Sequence, residues 1–194
     1  SGPSLSATEF AALGLSTVDT AGEVGLLNEL IDRQASLAVD SYSELAALAS
    51  RVTRLMDEAA GVAASPALTA SDFAALGITG VTVENLAEVL AVIRASADDG
   101  SAIDTLSELQ TLVTAAVVLS RQNALDIISR YDGTSATTTP TLANYANAEV
   151  SGAFASNLTS LNSAFAEIAE TDSNTTASIQ GVVAGYIAIL QGAD

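Results

Sequence analysis

Leu5–Val18 reads LSATEFAALGLSTV, and Leu68–Val81 reads LTASDFAALGITGV. Each stretch places a hydroxyl three residues ahead of a carboxylate (Ser6-x-x-Glu9, Thr69-x-x-Asp72), the pattern in which the two side chains satisfy the free N–H groups at a helix start. An aromatic ring follows (Phe10, Phe73), and then a glycine (Gly14, Gly77) where a left-handed residue would end the helix. Both stretches thus spell a short helix with its own start and stop. A third, looser version begins at Pro140 as PTLANYANAEVSG, with Tyr145 in the place of the ring. There Glu149 stands where the glycine should be and Phe154 replaces Thr82, so its turns are expected to differ in geometry.

The likeness continues downstream. TGVTVENLAEVLAVI (Thr79–Ile93) parallels SGAFASNLTSLNSAF (Ser151–Phe165), with Asn85-Leu86 on Asn157-Leu158, and TAGEVGLLNELI (Thr20–Ile31) fits with a one-residue slip. SYSELAALA (Ser41–Ala49), TLSELQTLV (Thr105–Val113) and TTASIQGVV (Thr175–Val183) align next. An internal repeat of this kind outweighs local pattern in choosing a fold. Each copy holds a short helix (6–13, 70–76, 142–148), a medium one (22–37, 83–97, 155–170) and a longer one (42–60, 106–130, 176–190). Further start signals stand at Thr20-x-x-Glu23, Thr82-x-x-Asn85, Ser41-x-x-Glu44 and Thr105-x-x-Glu108. Apolar residues recur at helical spacing, as in Leu86, Val89, Leu90 and Ile93, or Leu158, Leu161, Phe165 and Ile168. The expected fold is all-α: tandem three-helix bundles in an elongated array, with copies over 3–65, 66–139 and 140–194. The polar linkers are Ala64-Ser65-Pro66 and the run from Asp132 to Pro140. Leu125, Ile127, Ile128 and Tyr131 extend the apolar pattern of the middle copy, which reads as a lengthened third helix docking on the next copy, with a separate short helix as the alternative.

Composition agrees with helices. Hydrophobic residues are 49% and aromatics only 4%, so the core must be aliphatic and rich in alanine, the best helix former. The chain has 23 acidic residues against six arginines and no lysine, for a net charge of −17. Such a surface repels phosphate backbones, which excludes nucleic acid as an expected partner. No apolar run reaches the ~18 residues of a membrane span, so no membrane insertion is expected. The first residue is not Met, and Ser1-Gly2 reads as the scar of an excised fragment.

Histidine and cysteine are absent. Ser–His and Cys–His catalytic pairs and thiolate metal sites therefore fall away, and neither phosphate-loop nor dinucleotide fingerprints occur. Asp57-Glu58 and the pair Glu167 and Glu170 read as solvated helix faces. The loop from Asp98 to Asp104 offers three carboxylates, Asp98, Asp99 and Asp104, the ligand type calcium prefers. It lacks the twelve-residue EF-hand pattern, so the simpler reading is a polar turn with Asp104 near a helix start. The sequons at Asn157 and Asn174 read as chance triplets. No cofactor and no catalytic residue are expected.

PALTASDFAALGITGVTVENLAEVLAVI (66–93), followed by an SELQTLV-type helix, resembles the tandem helical repeats of giant adhesins and biofilm-associated proteins of Gram-negative bacteria. Such repeats read roughly PTxxDYxxxGVTGVTxxNLxxVNxxI, then EIQxxVxAYxxIL. Pro66, Asp72, Phe73, Gly77, Ile78, Thr79, Gly80, Val81, Thr82, Asn85, Leu86, Val89 and Ile93 match the first part, and Gln180, Val183, Tyr186, Ile189 and Leu190 the second. The resemblance implies a non-catalytic structural or spacer region, extracellular or on the bacterial cell surface. Its partners would be neighbouring repeats of the same chain and other surface or matrix proteins. The alternative is a helical module that binds a host or matrix protein.

Overall fold

The computed structural model describes residues 4–33, 41–97 and 100–192. Among the described residues there are nine α-helices, one 3-10 turn and no strand, so the fold is all-α. In chain order they are α1 (Ala7–Ala12), α2 (Ala21–Arg33), α3 (Tyr42–Ala59), α4 (Ala70–Ala75), α5 (Leu86–Arg94), α6 (Leu106–Ser129), α7 (Leu142–Asn147), α8 (Leu158–Phe165) and α9 (Thr176–Gly192). The 3-10 turn, Glu170–Asp172, lies between α8 and α9.

The local signals operate as capping chemistry predicts. At α1, α3, α4 and α7 the cap hydroxyl accepts from the third amide of the helix, and the third side chain accepts from the cap amide. Asn144 supplies this second half at α7, so an amide replaces the carboxylate. Thr175 and Ser178 make the equivalent exchange at α9 with hydroxyls alone, which leaves no acidic signature in the sequence. Thr82 and Asn85 also exchange bonds, but the residues between them form a turn and α5 begins only at Leu86. The medium helix of the third stretch is shorter than expected, ending at Phe165. Its Thr, Asn and Ser residues are weak helix formers, and Asn162 turns its amide to another segment. The part of the expected medium helix beyond Arg33 lies outside the described residues.

Glu149 corrects an expectation. It adopts φ +59°, the left-handed conformation held by Gly14 (+88°) and Gly77 (+77°) at the aligned positions. The Phe154 amide donates to Asn157 Oδ1 at 2.7 Å, as Thr82 donates to Asn85 Oδ1 at 2.8 Å. The third stretch therefore keeps the turn geometry without the glycine. A side chain in this conformation costs roughly 1–2 kcal/mol, and the surrounding fold carries that cost.

The chain forms two compact units, 1–117 and 118–194. They are drawn differently from the aligned stretches. In the first unit one continuous core runs through Phe10, Leu26, Leu27 and Leu30, then Leu48, Val52 and Leu55, then Phe73, Leu76, Val89 and Ile93. Helix α3 packs against both α2 and α5. Its sequence explains this: Leu48, Val52, Leu55 and Ala59 make one buried stripe, and Ala49 and Met56 widen it beyond what a single neighbour would cover.

The core of the second unit comprises Ala124, Leu125, Ile128, Tyr145, Ala148, Val150, Leu161, Phe165, Ile179 and Val183. The boundary between the units falls inside α6. That helix is continuous to Ser129, and Leu125 and Ile128 on its last turns join the second core. The rings of Tyr145 and Phe165 meet there in a tilted pair, 5.9 Å between centroids.

Candidate functional site

Polar side chains at the joints between segments are the groups available for chemistry in a chain without His, Cys or Lys. They fall into three sets.

The first set ties the start of a short helix to the medium helix that follows. Asn28 on α2 donates to the Leu5 carbonyl and accepts from the Leu5 amide, both at 2.8 Å. Asn162 on α8 donates to the Pro140 carbonyl at 2.8 Å and accepts from Tyr145 Oη at 2.9 Å. Burial raises the pKa of that tyrosine, with a smaller push from Tyr131, so the phenol stays a neutral donor.

In the second set, Gln110 Oε1 accepts from the Thr79 amide at 2.9 Å and its Nε2 donates to the Thr79 carbonyl at 3.2 Å. Gln180 holds Ser151 in the same two-point clamp, at 2.8 and 3.1 Å. Asn85 and Asn157 close the adjoining turns by donating to Gly80 O and Gly152 O, each at 2.9 Å. The Asn157 side chain is thereby occupied on both atoms.

The third set is ionic. In the first unit α3 carries Arg51, Arg54 and Glu58 toward the segment that follows. Asp72 meets Arg51 at 3.2 Å and Arg54 at 2.8 Å. Burial pushes the Asp72 carboxyl upward; Arg54, with the Thr69 hydroxyl and amide, outweighs it and brings the pKa down to about 2. Arg54 also donates to the Pro66 carbonyl at 3.2 Å. Glu58 corrects its reading as part of a solvated face: it is buried, pairs with Arg94 at 2.6 Å, and accepts from the Ala64 amide at 3.1 Å. Its ionic partner lies 36 residues away, so helical spacing alone placed it outside. Glu170 is exposed and pairs with Arg130 at 2.8 Å, raising the arginine's pKa through that bond. With Arg33–Glu29 and Arg121–Glu149, every one of the six arginines is in an ion pair.

The candidate calcium ligands divide. Asp98 and Asp99 lie outside the described residues. Asp104 belongs to a loop seated on α2 and α3: Ile103 is buried in the first core, and the Met56 sulfur lies 2.8 Å from where a Cβ on Gly100 would stand. The Asp104 backbone carbonyl faces Gly25 of α2. Among the described residues no group of three acidic side chains could hold a metal ion. A hollow of about 420 Å³ is lined by Leu30, Arg33, Ala74, Ala75, Leu76, Gly77 and Leu106; its one charged group, Arg33, pairs with Glu29. No helix among the described residues is long and apolar enough to cross a membrane.

The arrangement as a whole can hold segments in register; one carboxylate pair, Asp104 and Glu108, lies within hydrogen-bonding reach at the start of α6. Comparison with known protein families, with curated proteins and with solved structures found no match.

Sequence reasoning missed Asn28, Asn162, Gln110 and the partners of Glu58. Gln180 stood within the adhesin-type pattern, and its clamp on Ser151 gives that position a physical role.

Proposed function

We propose that this chain is a structural spacer: serial copies of one small helical module in an adhesin-type protein on the bacterial surface or outside the cell, without a catalytic role. The observation that carries the reading is the use of polar groups. Five of the six arginines, and Asn28, Asn85, Asn157, Asn162, Gln110 and Gln180, are spent on pinning backbone turns or on joining one segment to another. Modules that need contact only their neighbours can be multiplied along a chain. The acidic surplus keeps such copies soluble and apart.

Small-angle scattering of the dilute protein tests the reading. A compact globule of this length has a radius of gyration of about 16 Å. Modules in series should give a value clearly above about 20 Å. A particle at the compact limit would sink the serial reading.

A further inference from the structure

We propose that Asp132–Gly133 is a latent site of covalent rearrangement, where the backbone can pass through a cyclic imide to an isoaspartyl link, and that the Thr134 and Thr137 hydroxyls hold it closed. The inference concerns the loop between α6 and α7 and stands whether or not the chain is a spacer.

The reaction needs only the chain and water. The Gly133 amide nitrogen attacks the side-chain carboxyl carbon of Asp132 and gives up its proton. The carboxyl hydroxyl leaves as water, and a five-membered imide closes. Water then adds to one of the two imide carbonyls. Opening at one restores Asp132. Opening at the other leaves the main chain running through the former side chain, one carbon longer on its way to α7. Glycine is the most permissive successor, because no Cβ shields its nitrogen.

The fold requires that glycine. Gly133 has φ +76°, and a Cβ there would stand 3.3 Å from the Ala166 Cβ. Both residues of the pair are exposed, so water reaches them. The susceptible pair is thus fixed by the turn, and its protection has to come from other residues.

Asp132 Oδ1 accepts from the Thr134 amide at 2.9 Å, the Thr134 hydroxyl at 2.8 Å and the Thr137 hydroxyl at 2.6 Å. The Asp132 amide donates to Thr137 Oγ1 at 3.3 Å, so this threonine grips both the side chain and the main chain of the aspartate. The Ala136 amide donates to Thr134 Oγ1 at 3.1 Å and keeps that hydroxyl aimed. Two effects oppose ring closure. The carboxyl group is tied to residues 134 and 137, so these bonds must break before it turns onto the Gly133 nitrogen. The same bonds, Thr137 foremost, favour the ionised carboxylate, which has no hydroxyl to release as water.

Incubation of the whole protein at about pH 5, where aspartate in an unfolded chain is still partly protonated, tests this. Isoaspartate is read by enzymatic methylation and located by mass spectrometry of proteolytic fragments, which separates Asp132 from the other Asp–Gly pair, Asp99–Gly100. The folded wild type should accumulate it at Asp132 about fivefold more slowly than the same protein in urea, the factor carried by a single hydrogen bond. Thr137→Val should recover most of that factor and Thr134→Val part of it, with hydrogen-exchange protection around Tyr145 unchanged. Thr137→Ser, which keeps the hydroxyl, should stay slow. Equal rates for the folded and urea-unfolded wild type, or folded valine variants as slow as wild type, would overturn the proposal. If a valine variant loses its fold, the comparison of wild type with and without urea still decides.

Discussion

Asn162 holds two groups that cannot reach water. It accepts from the Tyr145 hydroxyl and donates to the Pro140 carbonyl, and it is itself buried. Truncation in Asn162→Ala strands both partners and should cost about 2–3 kcal/mol, the scale of unsatisfied buried polar groups. The double variant Tyr145→Phe, Asn162→Leu reproduces the Phe73 and Leu90 found at the aligned positions and should recover the part of that loss due to the tyrosine hydroxyl, leaving the Pro140 carbonyl unpaired. Urea unfolding of the double variant and of the singles Tyr145→Phe and Asn162→Leu closes the cycle; simple additivity would refute the coupling. The ring was legible from sequence, because an aromatic beside a capping signal has few alternatives. The asparagine was not, because in TSLNSAF it sits among polar residues and only the folded contact across to Pro140 sets it apart. Glu149 was misread for the opposite reason: the glycine was taken as necessary, while the turn needs only the left-handed backbone.

At the scale of the element, helix starts and stops were readable because a capping box is complete within four residues. Contacts made by α3 were not, since Arg51, Arg54 and Glu58 look like any charged helix face until α4 and α5 arrive. The Asp72 pair gives this joint a pH dependence. Its folded pKa, about 2, is lowered from an ordinary value of 3.8, so the stabilisation is complete above about pH 4 and is lost as pH falls toward 2. The shift corresponds to about 2 kcal/mol, an order-of-magnitude figure. Asp72→Asn should be less stable than wild type at neutral pH and should converge with it by pH of about 2, as followed by urea midpoints. Parallel stability curves for the two proteins would contradict the assignment. Asp132 is also held at about 2, chiefly by the Thr137 hydroxyl, but it is fully exposed and belongs to a different unit, so it does not distinguish the two proteins.

For the whole molecule, the buried apolar residues gather into two cores, and each core is expected to unfold as a unit. Sequence periodicity could not show this. It says that a helix has an apolar stripe, and the number of neighbours sharing that stripe depends on tertiary packing. The boundary inside α6 is silent in the sequence for the same reason, since helical spacing continues across it. Phe73→Ala removes a fully buried ring, a change that typically costs about 3–5 kcal/mol. Hydrogen exchange should then rise in α2 and α3 as well as in α4 and α5, because all four share one core, while amides around Tyr145 and Ile179 keep their protection. If α2 stayed protected while α4 and α5 opened, the shared core would be refuted.

The pairing of every arginine has a consequence for the solvent. With no cation left over, the outer skin holds a surplus of one sign, and the counter-ions needed to balance it must come from the medium. Added sodium chloride therefore has mostly repulsion to screen, while the half-hidden Arg54–Asp72 contact is sheltered from it. A brinier medium should tighten this fold, and desalted water should loosen it.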